Sequence, residues 1–264
     1  MRITFLGTGT SHGVPSIDCM LQHYAHCPHQ VCLKAAENPR HRRLRASIYI
    51  EIGEYGLLVD TSQDFREQML RAQITHLEAI LYTHGHADHI YGLPDTRSYS
   101  HQQSTPIPIY GSTETLTILR HAFDYIFRPP EFVGGGIPVL APYELNPSTI
   151  IGGQLVQAVR VEHGPLEGCQ GYRLGMMAYI PDAHCIPPES LELLEGLDLL
   201  ILNCLRPRPH SSHLSLTESL AYVERLKPRQ ALFTHMTHDI DYELEEPHLP
   251  SNVRFAYDGL QVTV

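Results

Sequence analysis

The sequence predicts an α/β fold in one domain spanning residues 1–264. Three observations point to it. Apolar runs of strand length recur along the chain, amphipathic stretches of helix length fall between them, and histidine or aspartate stands where several predicted strands end. Hydrophobic residues make up 42% of the chain, enough to bury a full core without covalent staples.

Taken in order, Arg2 to Leu6 alternates as a strand and runs into Gly7-Thr8-Gly9-Thr10-Ser11-His12-Gly13, a turn-rich loop. Residues 47–52 and 56–60 read as a hairpin around Gly53-Glu54-Tyr55. Asp64 to Ala72 fits a short helix with Phe65, Met69 and Leu70 on one face. Glu78 to Tyr82 reads as a strand, and Ser112 to Phe127 as a helix capped by Ser112 or Thr113. Pro129 to Pro147, rich in Pro and Gly, reads as a surface loop.

In the second half, Leu155–Val161, Gly171–Leu174 and Met177–Ile180 resemble strands, Pro188–Leu194 a helix and Leu197–Leu202 a buried strand. Ser215-Leu216-Thr217-Glu218 has the capping-box pattern and opens a helix to Leu226. Ala231–Thr234 is a strand that ends at His235, and Val253–Tyr257 with Leu260–Val264 reads as a closing pair of strands. No low-complexity tail, linker or strong internal repeat interrupts this order.

The formal net charge is -10 with the 18 histidines counted as neutral, which argues against a general nucleic-acid coat. No segment has the roughly 18 consecutive apolar residues of a membrane span, and Met1–Leu6 runs directly into Gly7 without a leader pattern. The expectation is a soluble, cytoplasmic protein. Of six cysteines, Cys169, Cys185 and Cys204 sit in apolar surroundings as small core residues, whereas Cys19, Cys27 and Cys32 cluster in a polar, His-rich loop. In a cytoplasmic chain such clustering points to metal more than to a disulfide.

The most informative stretch is Tyr82-Thr83-His84-Gly85-His86-Ala87-Asp88-His89. Four ligand-type residues fall within six positions, and small residues at 85 and 87 let alternate side chains converge. His163, Asp182 and His235 each follow another predicted strand. A single histidine at a strand end is ordinarily a solvated loop residue, but four strands delivering such residues to one rim is the arrangement a metal site needs. His84, His86 and His163 can fill one site, Asp88, His89 and His235 a second, and Asp182 can bridge them. Imidazole with carboxylate suits Zn²⁺, Mn²⁺ or Fe²⁺. Two such ions would hold a bridging water as hydroxide.

THGHADH (83–89), together with Gly7-Thr8-Gly9-Thr10, resembles the metallo-β-lactamase superfamily. The resemblance is nearer to the branch typified by PhnP, the phosphoribosyl cyclic phosphate phosphodiesterase. GTGTSHGVP (7–15), the cysteine loop, RRLRASI (42–48), VDTS (59–62), THGHADHIYGL (83–93), VEHG (161–164), IPDA (180–183), HSSHLSL (210–216), THMTHDID (234–241) and AYDGLQV (256–262) fit that branch in order, over essentially the whole chain. The resemblance implies a four-layer αββα sandwich with a dinuclear site at one edge of the sheets. It carries the seven ligands over onto His84, His86, Asp88, His89, His163, Asp182 and His235, in agreement with the partition above.

The same resemblance places His213 beside the metals to assist the phosphate or leaving group, a departing alkoxide needing a proton or a positive neighbour. Asp88 is counted with it as catalytic; His210 and Arg206 are weaker candidates. It also makes Cys19, Cys27, Cys32 and His238 a third, structural zinc site, with His23, His26 and His29 as competing ligands because Cys19 and Cys27 stand farther apart than in the branch. Asn203 replaces an expected aspartate at a strand end, so a negative partner for a ligand is missing there. Arg40-His41-Arg42-Arg43-Leu44-Arg45 is a basic run, read as a solvated face or as a guide for anionic substrate. Gly7, Gly9 and Gly13 serve tight turning, since no Lys-Ser/Thr pair follows to make a phosphate loop.

The function expected is a metal-dependent phosphodiesterase for small or cyclic phosphodiesters, acting through a metal-bridging hydroxide. Competing readings are a thioester or carboxylic ester hydrolase, a tRNA 3′-end nuclease lacking any basic arm to clamp tRNA, and a phosphate-ligand sensor or scaffold that holds metal without turnover. His86→Ala separates the last, because a scaffold keeps ligand binding. A homodimer is a family-level expectation.

Overall fold

The computed structural model describes residues 1–128 and 136–264. Among these, β1 (Arg2–Gly7), β2 (Ser47–Ile52), β3 (Tyr55–Val59), β4 (Ala79–Leu81), β5 (Ile107–Gly111) and β6 (Leu140–Glu144) lie in a first sheet. A second sheet holds β7 (Ser148–Ile151), β8 (Gln154–Arg160), β9 (Gln170–Leu174), β10 (Met177–Ile180), β11 (Leu199–Asn203), β12 (Gln230–Thr234) and β13 (Val253–Phe255). The last strand, β14 (Gln261–Thr263), returns to the first sheet against β1.

The strand orders are β14-β1-β2-β3-β4-β5-β6 and β13-β12-β11-β10-β9-β8-β7. Each sheet is antiparallel on one side and parallel on the other. In the first, β3, β4, β5 and β6 run parallel; in the second, β10, β11, β12 and β13 do.

Period-two alternation assigns the layers. Leu57 and Val59 of β3 and Leu199 and Ile201 of β11 share one buried cluster between the sheets, along with Tyr172 and Tyr179. The intervening Leu58 of β3 faces the opposite way, onto Phe65 and Met69 of the Phe65–Ala72 helix and Leu116 and Leu119 of the Thr113–Ala122 helix. On the far side, Leu200 and Leu202 of β11 pack with Leu191 and with Val223 and Leu226 of the Leu216–Leu226 helix. Helix, sheet, sheet, helix is the αββα sandwich that the family resemblance implied.

Several details differ from the sequence reading. Leu70 is 61% exposed; Gln68 takes the inward position and donates from Nε2 to the Arg45 carbonyl at 2.7 Å. The helix expected over 112–127 breaks at Phe123 (φ -125°, ψ 44°) into Thr113–Ala122 and Asp124–Phe127. Its cap is Ser112, whose hydroxyl accepts the Thr115 N–H at 3.1 Å. Of the loop expected over 129–147, residues 129–135 lie outside the described residues, while β6 occupies Leu140–Glu144, paired with β5. The two closing strands do not pair. Gly259 (φ 91°) lets the chain cross between sheets, so β13 joins β12 and β14 joins β1. The cysteine loop contains two unexpected helices, Ile17–Leu21 and Val31–Glu37.

Candidate metal centre

Strands β3, β4, β8, β10, β11 and β12 all end toward one rim. β4 leads into Thr83 and His84, and a short helix, Ala87–Ile90, turns Asp88 and His89 inward. Gly85 is required by packing: a Cβ there would lie 2.5 Å from Ile118 of the Thr113–Ala122 helix. His163 follows β8, Asp182 follows β10 and His235 follows β12. His235 leaves its strand in the left-handed region (φ 58°), as does Asp60 after β3 (φ 65°). Non-glycine residues held there concentrate at functional sites.

Two clusters form. In the first, His86 Nδ1 lies 3.0 Å from His84 Nε2 and 3.2 Å from His163 Nε2, so three imidazole nitrogens face one another. In the second, Asp88, His89, Asp182 and His235 bring one donor atom each within 4.8 Å of all the others. Asp182 Oδ2 stands 2.8 Å from His89 Nε2, 3.2 Å from His235 Nε2 and 3.7 Å from His84 Nε2, and so reaches both clusters. His89 Nε2 and Asp182 Oδ1 are buried without an aligned hydrogen-bond partner. Buried, unpaired donor atoms converging from imidazoles and carboxylates form a donor set suited to divalent cations. The residues present fit divalent-metal binding.

The electrostatics agree. Burial holds His84 well below the ordinary histidine range, lowers His86, and lowers His163 to about 4. Burial alone would raise the carboxyls, yet Asp88 lies well below its usual range because of His89 and His235. Asp182 is likewise held well below by His235 and His213. His89 goes the other way: against the cost of burial, Asp88 and Asp60 push it well above its ordinary value. Neutral imidazoles and ionised carboxylates are the forms that ligate metal.

Asp60 is the site residue that sequence reasoning did not single out. It is fully buried; one oxygen accepts from the Thr83 backbone N–H, the other from the Thr83 hydroxyl and His89 Nδ1, all at 2.8 Å. Its signal was available, since it too ends a predicted strand. His163 Nδ1 is similarly held by the Ser212 carbonyl at 2.8 Å. Asn203 is fully buried and donates to the Ala183 carbonyl at 3.1 Å, bracing the turn that carries Asp182. An ionised aspartate there has no proton to give that carbonyl.

Residues 55–236 match the sequence model of the family described as "Beta-lactamase superfamily domain". The chain belongs to the beta-lactamase superfamily. A solved structure described as a new diphosphatase from the PhnP family is 37% identical, superposes with a TM-score of 0.88, and is matched over 100% of this chain and 97% of its own. The octanoyltransferase of Porphyromonas gingivalis is 33% identical over 270 residues, covering 100% of this chain. The chain spans about half the length of that relative, 52% of it. Zn²⁺-bound PqqB from Methylobacterium extorquens, at 19% identity and a TM-score of 0.75, covers 100% of both chains and shares the fold. The superfamily is one of metallo-hydrolases, and this member places all seven expected ligand-type residues at one rim.

The remaining candidates separate clearly. His213 Nε2 lies 2.9 Å from Asp182 Oδ1, at the metal centre. His210 packs behind it, with ring centroids 5.1 Å apart. Arg206 donates to the Arg208 and Pro209 carbonyls. A second group, Cys19, Cys27, Cys32 and His238, brings its four donor atoms within 4.8 Å of one another. His238 Nδ1 is 3.1 Å from Cys19 Sγ and 3.3 Å from Cys32 Sγ. Burial, and then the neighbouring thiols of Cys19 and Cys27, push Cys32 up to about 12, an arrangement a cation would reverse. His23, His26 and His29 are exposed and outside this group. Cys169 and Cys204 are core residues as expected, while Cys185 is only half-buried.

The basic run is not simply a solvated face. Arg43 is buried, whereas Arg40 is paired with Glu246 and Arg45 with Asp64. Gly7 and Gly9 allow this segment to approach: a Cβ at Gly7 would lie 2.0 Å from the Arg45 carbonyl, and one at Gly9 2.9 Å from that of Arg43. Gly13 makes a turn at φ 63°. Among the described residues, no helix is long and apolar enough to cross a membrane.

Proposed function

We propose that this hydrolase is a metal-dependent phosphodiesterase acting on small or cyclic phosphodiesters. The observation that carries this reading is Asp182: one carboxylate oxygen reaches both ligand clusters while the other meets His213 Nε2. His213 would then serve as a proton donor beside a site for two divalent ions. The 37% identity to a PhnP-family diphosphatase supports phosphorus as the centre attacked. The net charge of -10 disfavours long nucleic acid as substrate.

His84, His86 and His163 would hold one ion; Asp88, His89 and His235 the other; Asp182 would touch both. Zinc or manganese bound there supplies Lewis acidity toward phosphoryl oxygens and a nucleophile at neutral pH. The chain's own residues do the rest. Asp60 fixes the His89 ring and its tautomer, and the Ser212 carbonyl does the same for His163. His213 Nε2 gives its proton to the departing oxygen. Cys19, Cys27, Cys32 and His238 would hold a third, structural zinc. The buried cluster shared by both sheets supports residues 1–264 acting as one hydrolase domain.

The test is hydrolysis of bis(p-nitrophenyl) phosphate by protein loaded with Mn²⁺ or Zn²⁺, beside Asp182→Ala. Turnover that disappears in the variant is expected. Absence of turnover with either metal would turn attention to thioesters.

A further inference from the structure

A cleft of about 530 Å³ opens between the Phe65–Ala72 helix and the segment formed by the Leu93–Thr96 turn and the Arg97–Gln103 helix. That volume falls within the roughly 300–1,000 Å³ of small-molecule sites. Its lining is partly apolar. Met69 is buried there, and Leu70 stays 61% exposed. The Tyr99 hydroxyl donates to the Ile74 carbonyl at 2.8 Å, so the phenol ring ties one wall to the other. Arg66 and Arg97 line the same cleft, and among the described residues neither side chain has an ion pair or hydrogen bond. Asp95 is the only carboxylate beside them, which leaves one positive charge in excess on a chain of net charge -10.

We infer that this cleft is an effector site for an amphipathic anion, an apolar chain carrying a carboxylate or phosphate head. The two guanidinium groups supply planar forks that match such a head. Leu70, Met69 and the Tyr99 ring supply the surface for its apolar body. An inorganic anion would leave the apolar lining unused, and a hydrocarbon would leave the arginines unused. The bland alternative is a crease that the arginine stems merely cover. None of the lining residues belongs to the metal centre, so the site is separate from the one that holds the ions.

Its two walls nevertheless continue the segments that carry Asp60 and His89. They meet at Gly92, whose N–H donates to the Thr61 carbonyl at 2.9 Å, while the Thr61 N–H donates to the His89 carbonyl at 2.8 Å. The junction is tight: a Cβ at Gly92 would lie 2.1 Å from the Ser62 carbonyl oxygen and 2.5 Å from Phe65 Cβ. Asp60 meets His89 Nδ1 across the same junction. An occupant that bridges the walls braces this pair and favours the arrangement that receives metal. By linkage, anion and metal then raise each other's affinity by the same factor.

The test is calorimetric titration of metal-loaded protein with decanoate and with decyl phosphate, beside decyltrimethylammonium. One equivalent of either anion is expected to bind, the tighter of the two naming the head group, and the cation is expected not to. Arg66→Gln and Arg97→Gln should each weaken binding roughly tenfold. Leu70→Glu should abolish it, because the new carboxylate stands one helical turn from Arg66 and fills its fork. All three positions are exposed, so an unchanged Tm is expected in each variant. Asp182→Ala should keep binding, since the cleft is not the metal centre. No binding of either anion, equal binding of the cation, or binding lost in Asp182→Ala but kept in both arginine variants would overturn the site. In a second measurement, saturating decanoate should raise Mn²⁺ affinity roughly fivefold by chelator competition in the wild type and leave Leu70→Glu unchanged. Affinity unmoved in both proteins would overturn the effector role. Neither readout uses turnover, so both stand apart from the phosphodiesterase reading.

Discussion

The Asp60 carboxylate lies 2.8 Å from His89 Nδ1, and both residues are fully buried. A carboxylate behind an imidazole fixes which ring nitrogen faces the metal and makes it a better donor. Asp60→Asn tests this without disturbing the turn, because asparagine tolerates the left-handed backbone found there (φ 65°). One amide oxygen cannot serve His89 and both Thr83 donors as two carboxylate oxygens do. Metal affinity is expected to fall about 10- to 100-fold, read by chelator competition. Affinity unchanged within about twofold would show that Asp60 only pins the strand end.

Metal binding is expected to release protons near neutral pH. His84, His86 and His163 are held low by burial, His163 at about 4, and bind without losing one. His89 is pushed well above its ordinary value by Asp88 and Asp60, against burial, so an incoming cation must displace its proton. The sign follows: apparent affinity rises with pH, up to about tenfold per unit for this proton, until pH passes the folded value of His89. Calorimetric titration in buffers of different ionisation enthalpy should count about two protons per dinuclear site, one displaced from His89 and one given up by the water that becomes the nucleophile. A count of one would mean that His89 is already neutral.

Much of this centre was legible because its signals are local. His84 to His89 is a single short segment, and His163, Asp182 and His235 each close a strand readable from apolar alternation. Asp60 was passed over because one aspartate after a strand looks like any turn residue; only its burial against His89 distinguishes it. Arg43 was hidden for a related reason. Its burial depends on Thr237, Ile240 and Tyr242, almost two hundred residues away. The parting of β13 from β14 was equally invisible, since each strand's partner lies in a different sheet. The helices in the cysteine loop are too short for a helical period to show.

The cysteine cluster should hold a metal independently of the catalytic pair. Cys19 and Cys32 converge on His238 Nδ1, and Cys27 Sγ accepts the Cys32 N–H at 3.3 Å. Wild-type protein is expected to carry about three metal equivalents, and Cys32→Ser about two, with a lower Tm. Elemental analysis reads this directly. Loss of all metal on that single substitution would show that the two sites are not separable, and retention of three would remove the thiol from the ligand set.

Arg43 joins the two sites. Its guanidinium donates to the Tyr242 hydroxyl at 3.0 Å, the Thr237 carbonyl at 2.5 Å and the Ile240 carbonyl at 2.7 Å, and lies 4.4 Å above the Tyr242 ring. Those carbonyls bracket His238, and His235 precedes them on the same turn. Arg43→Met keeps the length of the stem but leaves two carbonyls and a phenol without their donor in the interior. A cost on the order of 3 kcal/mol is expected in chemical denaturation. Arg43→Lys should recover only part of it, because one ammonium cannot reach in the three directions of a planar fork. The loss should be larger in metal-loaded protein than in metal-free protein, since disorder at residues 237–240 then removes His238 from its cation as well. Equal losses in the two forms would make Arg43 a brace of the fold alone, with no part in holding the metal.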